Sequence, residues 1–120
     1  MDEIYKTNGI SMKKEIDEFG TIHYCNDKGQ LHRENGPAME HANGDKWWYK
    51  NGLRHREDGP AVEFANCYKA WYKNGLRHRE DGPAIEYANG DRDYYYNDIK
   101  YLEIKTNEEW IRFIKLMVFL

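Results

Sequence analysis

Two tetrapeptides in this chain set a base, a cation and two acids side by side: His55-Arg56-Glu57-Asp58 and His78-Arg79-Glu80-Asp81. An imidazole beside carboxylates is the raw material of general acid–base catalysis, in which local environments push the proton affinities of the partners apart. Catalysis uses one such constellation, whereas here the same set returns after 23 residues. Repetition is the mark of a structural unit. Each His is therefore expected to stack on its cross-strand Trp or Tyr and to hydrogen-bond a kinked backbone. Asp58 and Asp81 are expected to hold their turns as Asx residues. On this reading the chain is not an enzyme; a catalytic role would require one copy of the set to matter far more than the other.

The five histidines, His23, His32, His41, His55 and His78, raise the question of a metal. His55 and His78 lie two strands apart in a repeating sheet, roughly 10 Å at ~4.8 Å per strand, while zinc ligands sit ~2 Å from the ion. No metal site and no cofactor are expected. A third feature is a basic ladder, Arg54, Arg56, Arg77 and Arg79, extended by Arg33 and Lys100 and flanked by Tyr49, Tyr72 and Tyr95. Cations interleaved with aromatics grip phosphates and stack bases. Glu40, Glu63 and Glu86 share that face and can neutralise the ladder by cross-strand pairing. Tyr and Arg are also the residues favoured at protein-binding hot spots. Two readings follow: a protein partner bound through Tyr49, Arg54, Arg56, Tyr72, Arg77, Arg79 and Tyr95, or a phosphate-bearing ligand, anionic lipid or nucleic acid, bound on the arginines.

The residues that position these groups are organised by a period. Gly29–Asn51, Gly52–Asn74 and Gly75–Asn97 are three abutting copies of one 23-residue unit in a chain of 120. A fixed period of this size signals a repeat array stacked from one supersecondary unit. Asn-Gly recurs at Asn8, Asn35, Asn43, Asn51, Asn74 and Asn89, and Asp-Gly at Asp58 and Asp81. Asn-Gly between alternating segments predicts two-residue type I′ hairpin turns. The three prolines, Pro37, Pro60 and Pro83, all sit in Gly-Pro-Ala and predict a bend, because proline gives no backbone donor. With two-residue turns at Asn43-Gly44 and Asn51-Gly52, one face gathers Met39/Val62/Ile85, His41/Phe64/Tyr87, Trp48/Trp71/Tyr94, Leu53/Leu76/Ile99 and His55/His78/Tyr101 as the core. The other face carries the Tyr, Arg and Glu columns with Ala38/Ala61/Ala84 between them. Cys67 takes the place of glycine in one turn, and Asp98 in another.

Residues 1–28 read as a worn copy of the unit, an N-terminal cap of one or two hairpins. Residues 98–120 hold the last strand and a helix from Asn107 to Leu120, opened by the capping box Thr106-Asn107-Glu108-Glu109. The helix is expected to cover the last hairpin and shield an edge strand, through Trp110, Ile114, Met117 and Phe119. Packing of the same face against a second copy of the chain is the competing expectation. The whole is thus one domain, mostly β: a single-layer antiparallel meander of hairpin repeats with a C-terminal α-helix.

Composition agrees with a thin, ring-built sheet. The chain is 32% charged and 15% aromatic, with a mean hydropathy of −1.02, too aromatic for disorder and too poor in aliphatics for a thick sandwich. A net charge of −3 gives no bulk attraction to nucleic acid or acidic lipid. Cys25 and Cys67 lack metal or disulfide-framework spacing and are expected to be free thiols. No segment has the ~20 apolar residues of a membrane span, and the N-terminus has no signal-peptide core; a cytoplasmic protein is expected.

The array resembles the MORN repeat family. That family's 23-residue pattern, an aromatic, then Asn-Gly, two variable residues and His, is matched by Trp48-Tyr49-Lys50-Asn51-Gly52-Leu53-Arg54-His55. It recurs at Trp71–His78 and more loosely at Tyr24–His32, and the resemblance covers about two-thirds of the chain. In the family Gly-x-Gly follows the His; here Arg56-Glu57-Asp58-Gly59-Pro60-Ala61 follows it, a variant like that seen in proteins of phages, large viruses and bacteria. The resemblance implies a twisted hairpin meander that binds a protein partner, as an adaptor or, for a viral protein, as an inhibitor of a host factor.

Overall fold

The computed structural model describes residues 3–7 and 10–118. The turn expected at Asn8-Gly9 and the expected helical residues Phe119 and Leu120 lie outside the described residues. Three longer strands form the N-terminal part: β1 (Glu3–Thr7), β2 (Ile10–Ile16) and β3 (Ile22–Asn26). The repeats then contribute two-residue strands, β4 (Met39–Glu40), β5 (Lys46–Trp47), β8 (Val62–Glu63), β9 (Lys69–Ala70), β12 (Ile85–Glu86) and β13 (Arg92–Asp93). Together these make a nine-stranded antiparallel meander in the order β1-β2-β3-β4-β5-β8-β9-β12-β13. Between them project three small hairpins, β6 (Tyr49–Lys50) with β7 (Leu53–Arg54), β10 (Tyr72–Lys73) with β11 (Leu76–Arg77), and β14 (Tyr95–Tyr96) with β15 (Ile99–Lys100). The chain ends in helix α1 (Asn107–Val118). It is a mostly β protein, 48 × 33 × 17 Å.

The projecting hairpins have the expected two-residue turns. Asn51 and Gly52 both lie at positive φ (48° and 83°), as do Asn74-Gly75 and Asn97-Asp98, and the register Tyr49↔Arg54, Lys50↔Leu53 follows. The turn at Asn43-Gly44 is different. His41 N donates to Asp45 O (2.9 Å) and Gly44 N to His41 O (3.0 Å), and only Gly44 in this loop has positive φ, 100°. This is a three-residue loop with a glycine bulge. One extra residue reverses the faces, so Trp47 rather than Trp48 stands opposite Met39, and Glu40 rather than His41 opposite Lys46. One face of the main sheet is thereby the row Met39, Trp47, Val62, Ala70, Ile85, Asp93. The other is the row Glu40, Lys46, Glu63, Lys69, Glu86, Arg92, alternating in sign.

That shift corrects the expected core. Trp48, Trp71 and Tyr94 become corner residues between the main sheet and the hairpins; Trp48 N donates to Ala61 O and His55 N to Trp48 O. Ala38, Ala61 and Ala84, expected on the outer face, are fully buried at 0% exposure. Leu53, Leu76 and Ile99, expected in the core, are 50%, 41% and 59% exposed. Their places are taken by hairpin tyrosines: Tyr95 is buried with Val62, Ala70, Ala84 and Ile85, and Tyr72 packs against the same cluster. The physical cause is the bend at Trp48 and its copies, which turns each hairpin so that its tyrosine covers the apolar row. The hairpins also join one another, with Gly52 N bonding Leu31 O, Gly75 N bonding Arg54 O and Asp98 N bonding Arg77 O, each at 2.8 Å.

Helix α1 starts at the expected capping box: Thr106 Oγ1 accepts from Glu109 N, and Glu109 Oε1 accepts from Thr106 N, both at 3.1 Å. Trp110 and Ile114 are buried against Tyr94, with Met117, Phe113, Tyr96, Tyr101 and Ile104 around them. The helix therefore covers the last hairpin. Ile111 and Val118 are exposed. Among the described residues no helix is long and apolar enough to cross a membrane.

Candidate binding grooves

The His-Arg-Glu-Asp segments are built into the framework. Nδ1 of His32, His55 and His78 accepts the backbone N–H of Asn51, Asn74 and Asn97 at 2.9, 2.9 and 3.0 Å. Because Nδ1 accepts, the neutral ring carries its proton on Nε2, which faces Glu34, Glu57 and Glu80 at 2.7, 2.6 and 3.2 Å. Each imidazole thus ties one unit to the hairpin turn 19 residues on. The bond from His55 holds the Glu57 carboxyl below its ordinary range.

The arginine after each His takes the place on the cross-strand ring expected of the His, while His78 meets Tyr96 of the next hairpin at 4.5 Å between ring centroids. The guanidinium carbons of Arg33, Arg56 and Arg79 lie 3.9 Å from the ring centroids of Tyr24, Trp48 and Trp71, a cation–π geometry. The same guanidinium donates to the carbonyl of Pro37, Pro60 or Pro83 (3.1, 3.0 and 3.1 Å) and reaches Glu40, Glu63 or Glu86 (3.4, 3.1 and 3.5 Å). Asp58 and Asp81 do not form the expected Asx turns; they accept from Nε of Arg56 and Arg79 at 3.0 and 2.8 Å. The glycine that follows is required by this approach. A Cβ on Gly59 would stand 2.9 Å from Cζ of Arg56, inside van der Waals contact. The His-Arg-Glu-Asp-Gly-Pro segment is therefore a buckle: an arginine folded over its own glycine, held on a ring and on a proline carbonyl.

Between successive buckles lie grooves. The first, about 700 Å³, is lined by residues 33–37, 48–50 and 55–58; the second, about 480 Å³, by residues 56–60, 71–73 and 78–81. Every lining position of the second is that of the first plus 23. They are one site used twice, displaced by two strands or ~10 Å. The first groove sets Arg33, Lys50 and Arg56 against Glu34, Glu57 and Asp58; the second sets Arg56, Lys73 and Arg79 against Glu57, Asp58, Glu80 and Asp81.

Comparison of the chain with protein-family models, with curated proteins and with solved structures finds no match.

The grooves gather some of the expected binding residues and leave others out. Tyr49 and Arg56 line the first; Arg56, Tyr72 and Arg79 line the second. Arg54 and Arg77 stand outside both. Arg54 donates to the hydroxyls of Tyr49 and Tyr72, each at 3.4 Å, and the Tyr49 bond raises its proton affinity. Arg77 donates to Asp98 at 2.6 Å and to the Tyr95 hydroxyl at 3.2 Å. Tyr95 itself is in the core. The grooves also include Lys50 and Lys73, and Trp48 and Trp71, which were expected in the core. Their shared signal was visible: they flank Tyr49 and Tyr72 at the same position of each unit.

Proposed function

We propose that the chain is a non-catalytic repeat scaffold, a MORN variant, that binds one continuous segment of a protein partner across its two equivalent grooves. The observation that carries this reading is the residue-for-residue repetition of one groove at a 23-residue offset. A repeated site favours a ligand long enough to span both copies. The histidines and aspartates that could have served catalysis are spent on the turns and the arginines. Near-balanced charge in each groove disfavours a polyanion, whose binding needs uncompensated cations. In a phage or viral setting the partner is a host protein whose activity the chain blocks.

The test is a quantitative capture of binding partners from the native host with wild-type protein and with Lys50→Glu/Lys73→Glu, which changes both grooves without touching a buckle. A partner retained by wild type and lost by ~tenfold or more from the variant is the expected result. Equal retention by both, or a captured nucleic acid released steeply by salt and by Arg54→Ala/Arg77→Ala, overturns the proposal in favour of a phosphate-bearing ligand.

A further inference from the structure

The array has a third copy of the groove, and it is filled. Adding 23 to Arg56, Trp71 and His78, which line the second groove, gives Arg79, Tyr94 and Tyr101. Trp110 of α1 sits on all three. Its Nε1 donates to Arg79 O at 2.8 Å, and its ring lies 5.5 Å from that of Tyr94 and 5.4 Å from that of Tyr101. It is 0% exposed. The helix thus shows what the site accepts when a helix is tethered beside it.

The open copies keep the same acceptor. Arg33 and Arg56, the counterparts of Arg79, line the open grooves, and no hydrogen bond of the described residues reaches their carbonyls. One difference bears on the ligand. Leu102 stands where Arg56 and Arg79 stand in the earlier units, so Trp110 meets bare tyrosine rings. In the open grooves the guanidiniums of Arg56 and Arg79 lie over Trp48 and Trp71, so an incoming ring meets a planar cation. An electron-rich ring is favoured there, tryptophan above the others, and only the indole also brings an N–H for the carbonyl.

We propose, resting on the reading of the grooves as a protein-binding surface, that the two open grooves dock tryptophan side chains of one partner helix. The grooves are ~10 Å apart and seven helical residues rise ~10.5 Å, so the partner carries tryptophans at i and i+7. The α1 helix has the same spacing in Trp110 and Met117, both on its packed side.

The probe is a synthetic peptide of residues 104–118, titrated into the isotope-labelled full chain and followed by NMR, beside its Trp110→Ala and Met117→Trp versions. Shifts at the Trp48 and Trp71 indoles and at the Lys50 and Lys73 amides are expected. Binding should weaken by ~tenfold or more with Trp110→Ala and tighten by about as much with Met117→Trp. Shifts confined to Tyr94 and Tyr101 would mean only exchange with α1, and they overturn the proposal, as do equal affinities of the three peptides or absence of binding. If peptides fail while capture of a partner still depends on Lys50 and Lys73, the groove reading stands and the tryptophan chemistry falls.

Discussion

Arg54 and Arg56 are two residues apart and chemically identical, yet the structure assigns them opposite energetic weight. Arg56→Ala removes the guanidinium from Trp48, worth about 1 kcal/mol for a partly shielded cation–π pair. It also leaves the carbonyl of buried Pro60 without its 3.0 Å donor, at a cost of about 1–2 kcal/mol. The pair with Asp58, a carboxylate 88% exposed, adds no more than a few tenths. The total is roughly 3 kcal/mol. With an unfolding entropy of ~2.1 cal/mol/K per residue, a chain of 120 residues loses about 12 °C of Tm. Arg54 is exposed; it makes two long bonds to tyrosine hydroxyls, and its guanidinium carbon lies 5.3 Å from the Tyr72 ring centroid, so Arg54→Ala should cost roughly 0.5–1 kcal/mol, about 2–4 °C. Arg56→Lys keeps the charge and loses the plane, and it should fall much nearer to Ala than to wild type. Thermal unfolding followed by circular dichroism measures all three. Equal losses for the two alanine variants, or recovery by Lys, would refute the buckle as the source of stability.

Cys67 stands at φ 77° where the other two units have Gly44 and Gly90 at φ 100° and 95°. Relief of ~1–2 kcal/mol of left-handed strain, less the ~0.4–1 kcal/mol that glycine returns to the unfolded chain, should leave Cys67→Gly more stable by about 0.5 kcal/mol in the same assay; a loss of stability would show instead that the thiol makes a stabilising contact. Tyr87 donates to Asp93 at 2.7 Å, and that bond together with burial lifts its phenol to about 12. A raised folded value means that the contribution is whole below the ordinary phenol range near ~10 and is lost as pH rises through 12. Alkaline absorbance titration should therefore find a phase near 12 that loses the amplitude of one tyrosine in Tyr87→Phe and moves earlier in Asp93→Asn; an unchanged amplitude near 12 in Tyr87→Phe would exclude the assignment.

Much of the architecture was legible along the chain because it is written in local terms. The period, the hairpins, the capping box and the turn at Asn51-Gly52 each depend on residues within a few positions of one another. The turn at Asn43-Gly44 carried the same dipeptide and a different geometry. A type I′ turn has positive φ at both central residues, whereas the bulged loop has it at one and holds one residue more. That single extra residue exchanged the faces of the main sheet and the bend at Trp48 and its copies turned the hairpins, so the alanine and leucine columns were placed on the wrong sides.

His55-Arg56-Glu57-Asp58 shows where sequence stops. The types and their repetition established, from the chain alone, a unit reused for structure. Only the tertiary structure could say that the imidazole reaches a turn 19 residues away and that the arginine folds back over its own glycine onto Trp48. Only it could say that Trp110, a residue of a different element, fills the third copy of a groove left open twice. The reason is physical. Turn chemistry and capping are settled by neighbours in sequence, while stacking partners and acceptors are chosen by how hairpins bend against one another, and that bend is a property of the packed array.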